Sequence, residues 1–160
     1  MQISSRFTIA VHALAYIDLF ESQMRVTSAV LAQSIRVNPV IIRGVLSDLK
    51  AAGIVDARKG SGGTWLARPL SSVTLYDVFA AVDPVGGASG SELFHFHENP
   101  APQCVVGGNI HTALDDKLLA VQDAMEEQLR AVTLETVVAD LVGAARSRGQ
   151  EVPEVGSAAA

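Results

Sequence analysis

Apolar residues return at helical spacing through the first twenty positions. Ile3, Phe7, Val11, Leu14 and Ala15 recur every three or four residues, the period of one helix face. This predicts a helix from Ser4 to about Phe20, capped by Ser4 or Ser5. Glu21-Ser-Gln-Met-Arg25 breaks the pattern with polar residues. Thr27 then opens a short second helix with Val30, Leu31 and Ile35 on its apolar side. Asn38-Pro39 marks a third start, with Asn as cap and Pro at the first helical position, where a missing N–H costs nothing. The third helix is expected to run to about Ala52, to bury Ile41, Ile42, Val45, Leu46 and Leu49, and to stop at Gly53.

Two short strands are predicted next, at residues 54–58 and 64–68. They flank Lys59-Gly-Ser-Gly-Gly63, and Gly/Ser between two such runs marks a hairpin. Thr74-Leu-Tyr-Asp77 has the spacing of a capping box and starts a helix to about Val82. Residues 83–108 are irregular, rich in Gly and Pro; so long a stretch inside a compact domain points to function. A long helix is predicted from about Asn109 to Val132, striped by Leu114, Leu118, Val121, Met125 and Val132. Thr133 caps a last helix carrying Leu134, Val137, Val138, Leu141 and Val142.

The expected class is therefore mainly α with a small β-hairpin: a winged helix-turn-helix plus a long dimerisation helix. Residues 1–82 form the DNA-binding domain, 83–108 a sensor-type loop, 109–142 the dimerisation region and 143–160 a disordered tail. In such a module the third helix enters the major groove and the hairpin reaches the minor groove or backbone. Residues 36, 40, 43, 47 and 50 step by four, three, four and three, so Arg36, Val40, Arg43, Ser47 and Lys50 share one face. Arg43 suits a bidentate contact to guanine, Val40 a thymine methyl and Asn38 an adenine or a phosphate. Lys50, farther along, suits a phosphate. Thr27 and Ser28 suit a phosphate at the second helix N-terminus. Arg58 and Lys59 stand at the hairpin tip, where Gly60 and Gly62 let the backbone approach DNA closely.

Charge changes the picture in one respect. The chain of 160 residues carries a net charge of −5, which by itself argues against a nucleic-acid partner. Residues 1–70, however, hold eight Lys/Arg against four acids, whereas residues 71–160 hold four against thirteen. A basic half can face phosphates while an acidic half faces solvent. No apolar run approaches the roughly 18 residues of a membrane span, and the opening residues do not form a signal-peptide core. A cytoplasmic protein without membrane partners is expected.

The segment Leu49-Lys-Ala-Ala-Gly-Ile-Val55, followed by Gly60-Ser-Gly-Gly-Thr-Trp-Leu-Ala-Arg-Pro69, resembles the Rrf2 family of bacterial transcription regulators. Val73-Thr-Leu-Tyr-Asp-Val78 with Ala81-Val82 matches it too, as does Ser4-Ser5-Arg6-Phe7 leading into Ala10 and Leu14. The resemblance covers about residues 1–142, and its wing motif is the specific part. With it, Ser4 and Arg6 are expected to join the DNA-contacting residues. It implies a homodimer held by the long helix, reading double-stranded DNA at a pseudo-palindromic operator, with repression as the expected outcome. Several members hold an iron–sulfur cluster through three cysteines in the loop before that helix. This chain has only Cys104 and resembles the clusterless, single-cysteine branch, so no cofactor is expected.

Cys104, His95, His97 and His12 are the candidate sensor residues, although none shows a recognised metal-ligand spacing. Redox sensing requires an exposed thiolate of low pKa; a lone Cys beside Val105-Val106 is more commonly a small buried hydrophobe. Catalysis is not expected, since no nucleophile elbow, metalloprotease helix or complete nucleotide fingerprint is present. A winged-helix protein-interaction module is the rival reading. A redox- or metal-responsive regulator acting through Cys104 and the loop histidines is another.

Overall fold

The computed structural model describes residues 4–58, 62–83, 93–94 and 97–153. Helix α1 (Ser5–Phe20) is followed by α2 (Ser28–Ile35) and α3 (Pro39–Ala51). Strands β1 (Val55–Arg58) and β2 (Gly63–Leu66) pair antiparallel, with Val55 opposite Leu66 and Arg58 opposite Gly63. A 3-10 turn at Leu70–Ser72 leads into α4 (Leu75–Val82), and α5 (Ile110–Ala131) and α6 (Leu134–Ser147) complete the order. Among the described residues no single helix is long and apolar enough to cross a membrane.

Local chemistry sets the helix starts. Ser4, Thr27, Asn38, Thr74 and Thr133 each accept a backbone N–H from the turn that they open, satisfying donors that the helix itself leaves free. Thr74 and Asp77 form both halves of a capping box. At the end of α3, Gly53 takes φ 68°, and the N–H groups of Gly53 and Ile54 donate to Lys50 and Leu49. This is the paired bonding that a left-handed glycine permits.

Helix α1 is the hub of the core. Ile9, Ala10, Ala13, Leu14 and Ile17 are buried, and α1 touches α2, α3, α4, α6 and β2. Helices α2 and α3 meet at 115°, within the range of a helix-turn-helix. The turn between them runs through Arg36, whose φ of 58° is left-handed. Arg36 caps α2 and is therefore not on the α3 face where the spacing put it. Ile41 also departs from expectation. It is 39 % exposed, because the buried stripe of α3 is Ile42, Val45 and Leu49 and position 41 lies at its edge, about 100° round from Ile42.

The hairpin is stitched to the rest of the module. Thr64 N–H donates to the Val26 carbonyl (2.9 Å), and Leu66 N–H donates to Glu21 Oε2 (2.7 Å). Gly63 has φ 78°, and a Cβ there would lie 2.9 Å from the Val26 carbonyl oxygen, so only glycine suits the point where the wing root meets the α1–α2 connection.

The C-terminal part differs from the predicted division. Leu134 and Val138 of α6 are buried in the same cluster as Leu14 and Val73. Leu75 N–H donates to the Val132 carbonyl and Leu134 N–H to the Val73 carbonyl. So α6 belongs to the N-terminal core, whereas α5 packs against α4 and contributes no buried residue. The tail expected from residue 143 is also corrected. Gly143 does not stop α6, which continues through Ala144 and Ala145, strong helix formers. It ends at Ser147 with Arg148 as cap; Gly149 follows at φ 71°, with Gln150 N–H bonded to the Ala145 carbonyl. Val152 packs against the core.

Candidate nucleic-acid interface

The outer face of α3 is built by subtraction. Ile42, Val45 and Leu49 turn inward, which leaves Val40, Arg43, Ser47 and Lys50 exposed. Val40 is 61 % exposed, which leaves its methyl groups accessible to a partner surface. Among the described residues no hydrogen bond or ion pair engages Arg43. Asn38 Oδ1 accepts the Val40 N–H (2.8 Å), so its amide donors are what it has left for a phosphate or a base. Thr27 Oγ1 accepts the Val30 N–H (3.3 Å); Thr27 and Ser28 are half-buried at the start of α2, where a helix leaves its first N–H donors to outside partners.

Ser4, Arg6 and Lys50 also have intramolecular partners. Ser4 caps α1 through its hydroxyl, and its N–H donates to Asp83 Oδ2 (3.1 Å). Arg6 pairs with Asp48 and donates through Nε to the Val82 carbonyl (3.2 Å). Lys50 sits 2.7 Å from Asp56 and donates to the Ala57 carbonyl (3.2 Å). Arg58 ends β1 exposed, and a Cβ on Gly62 would run into its side chain, which accounts for glycine there. Lys59 and Gly60 lie outside the described residues.

Between the wing root and the α1–α2 connection lies an open cleft of about 430 Å³, lined by residues 21–26 with Gly62, Thr64 and Trp65. Sequence reasoning passed over Arg25, which lines this cleft and is exposed. The signal was its place two residues before the Thr27 cap. Burial pushes the Glu21 carboxyl above its usual range, against the pull of the Leu66 N–H bond. The Lys50 ammonium holds the Asp56 carboxyl below it.

The candidate dimer stripe is open to solvent in the single chain. Leu114 is 38 % and Val121 55 % exposed, and Leu118 and Met125 are half-buried. Glu126 and Arg130 pair at 2.9 Å, and Arg130 lies 3.6 Å over the Tyr76 ring, tying the end of α5 to α4.

The candidate sensor residues are dispersed. Cys104 is exposed, not buried among valines as its neighbours suggested, because Val105 and Val106 are themselves exposed on a turn. Backbone N–H groups of Gly107 and Val106 hold its thiol below the usual range. His12 Nε2 lies 3.1 Å from Ser34 Oγ, and burial lowers its pKa. His97 packs 5.2 Å from the His111 ring, and His111 pairs with Asp115. His95 lies outside the described residues.

The family model described as Rrf2, iron-dependent transcriptional regulator, matches residues 3–140. YwnA of Bacillus subtilis (strain 168), named as an HTH-type transcriptional regulator, is 38 % identical over 136 residues, covering 85 % of this chain and 96 % of that protein. A solved structure from Lactobacillus plantarum, described as a transcriptional regulator, has a TM-score of 0.72 at 27 % identity, covering 91 % of this chain and 95 % of that one. Another, described as a DNA-binding protein, has a TM-score of 0.63 at 32 % identity, covering 83 % and 98 %. The family and these relatives are regulators, not enzymes. The iron of the family description finds no matching donor set: the sequence has one cysteine, and among the described residues no three His, Cys, Asp or Glu side chains are grouped to hold a metal ion. With the family model spanning most of its length and the helix-turn-helix and wing in place, the chain belongs to the Rrf2 family of DNA-binding transcriptional regulators.

Proposed function

We propose that the protein is a homodimeric repressor acting in the cytoplasm, with α3 reading each half of a pseudo-palindromic operator. The observation that carries this reading is the outer face of α3, where Arg43 stands beside exposed Val40 and Ser47 with its guanidinium unengaged among the described residues. Arg43 supplies the bidentate fork for guanine, Val40 the contact to a thymine methyl, and Thr27, Ser28 and Arg58 the phosphate contacts that set register. The exposed stripe of α5 supports self-association, since two copies would cover apolar surface that one leaves in water. Repression follows from occupancy of promoter DNA. No metal cofactor enters this reading, because one thiol does not make a three-cysteine cluster.

The test is selection of bound duplexes from a random pool, followed by affinity measurements across a salt series. Arg43→Ala is expected to weaken the selected duplex by about 1–3 kcal/mol and a scrambled one far less. Arg58→Ala is expected to weaken both alike and to reduce the salt slope by about one. Equal losses from the two variants would sink the division of roles, and a wild-type affinity indifferent to salt would favour a protein partner over DNA. The exposed Cys104 supports a second reading, a regulator whose operator affinity changes when that thiol is oxidised. The same titration on oxidised protein tests it.

A further inference from the structure

Gly44 stands in the middle of α3, where glycine is a poor helix former. An isolated glycine in a helical pattern calls for a packing reason, and Arg6 provides one. Its guanidinium crosses α3 at this point: a Cβ on Gly44 would lie 3.5 Å from Nη1 and 3.7 Å from Nη2. One turn farther along, Nη2 pairs with the Asp48 carboxylate. Nε of the same group donates to the Val82 carbonyl at the end of α4. Next to it, the Ser4 N–H holds Asp83. One planar side chain at the start of α1 thus joins α3 to α4.

We infer that Arg6 is a positioning residue for DNA recognition: through Asp48, and across the space left by Gly44, it fixes the rotation of α3 and so aims Val40, Arg43 and Ser47. This rests on α3 being the reading helix. Around the helix Gly44 lies about 100° from Arg43 and about 60° from Ser47, and Asp48 about 140° and about 100° from them, so the clamp grips the flank of the reading face and leaves the face itself open. The fork of Arg fits a carboxylate and a carbonyl at once, which the point charge of Lys does not. The pair also neutralises Asp48, an acid that would otherwise stand near phosphates.

The full-length protein tests this against the alternative that Arg6 itself meets phosphate. Asp48→Asn removes an acid and releases Arg6. A phosphate-binding Arg6 would then grip selected and scrambled duplexes more tightly alike. A positioning Arg6 predicts that the affinity ratio between selected and scrambled DNA falls about tenfold, with the salt slope unchanged. Gly44→Leu blocks the path of the guanidinium and should lower the ratio in the same way. Gly44→Ala, whose added carbon makes only an ordinary contact, should leave it intact. The proposal is overturned if Asp48→Asn and Gly44→Leu keep the wild-type ratio while Arg43→Ala loses it. If Arg43→Ala keeps it as well, the reading of α3 fails instead.

Discussion

Lys50 Nζ lies 2.7 Å from Asp56 Oδ1, which joins the last turn of α3 to the first strand of the wing. Both side chains are about half exposed, and solvent-screened ion pairs of that kind contribute little to stability. The link is weak enough for a phosphate to compete for the ammonium. Asp56→Asn is therefore expected to lower the melting temperature little and to tighten DNA binding about two- to threefold, for selected and scrambled duplexes alike. A loss of affinity would mean that the pair, and not the free lysine, is what the complex uses.

The apolar stripe of α5 leads to a prediction about assembly. Val121 is 55 % exposed in the single chain, so a charge there should not disturb the fold. Placed in an apolar interface, the same charge costs roughly 3 kcal/mol. Val121→Glu is expected to raise the dimer dissociation constant about 100-fold or more, with circular dichroism unchanged. Light scattering behind gel filtration reads this, and a dimer that survives would remove α5 from the interface.

Asp18 makes stability depend on pH. Burial raises its pKa, and repulsion from Glu135 adds to the effect. The folded chain therefore holds this proton more tightly than the unfolded chain does. Stability from this group is greatest below the ordinary carboxylate value of 3.8 and declines as pH rises through the raised value. Asp18→Asn is expected to stabilise the protein at neutral pH by about 0.5 kcal/mol or less, the side chain being partly solvated. The gain should vanish below pH 3.8. Thermal melts of both proteins at the two pH values check the sign; a gain that persists in acid has another origin.

Cys104 should react as a thiolate at lower pH than an ordinary cysteine, because the Gly107 and Val106 N–H groups stabilise the anion. Alkylation rates measured against pH are expected to show a midpoint below the usual thiol range. Cys104→Ser should leave operator binding by the reduced protein unchanged, since the thiol is exposed and outside the core. A variant that no longer binds would make Cys104 a structural residue.

Much of the helix-turn-helix was legible because short-range chemistry writes it. Caps at Ser4, Thr27, Asn38 and Thr74, proline at the start of α3 and glycine after it act within one turn of chain. The alternation of Arg43 and Ser47 with Ile42, Val45 and Leu49 sorts the two faces of α3. Arg36 was misplaced because a left-handed cap leaves no mark on an arginine that periodicity can read. The extent of α6 was underestimated because Gly143 looks like a stop, while what holds the helix is burial of Leu134 and Val138 against distant residues.

The order of helices and hairpin, the basic amino-terminal half and the single cysteine, too few for a three-cysteine cluster, all follow from residue type and local spacing. The partners of the charges depend instead on long-range packing. Arg6, Asp48 and Val82 are far apart along the chain, and so are Glu21 and Leu66; only the packing of α1 against α3, α4 and the wing brings them within bonding distance. A basic residue in the sequence is a candidate for phosphate. Whether it is spent inside the molecule or left for DNA is settled by which helix it lies against.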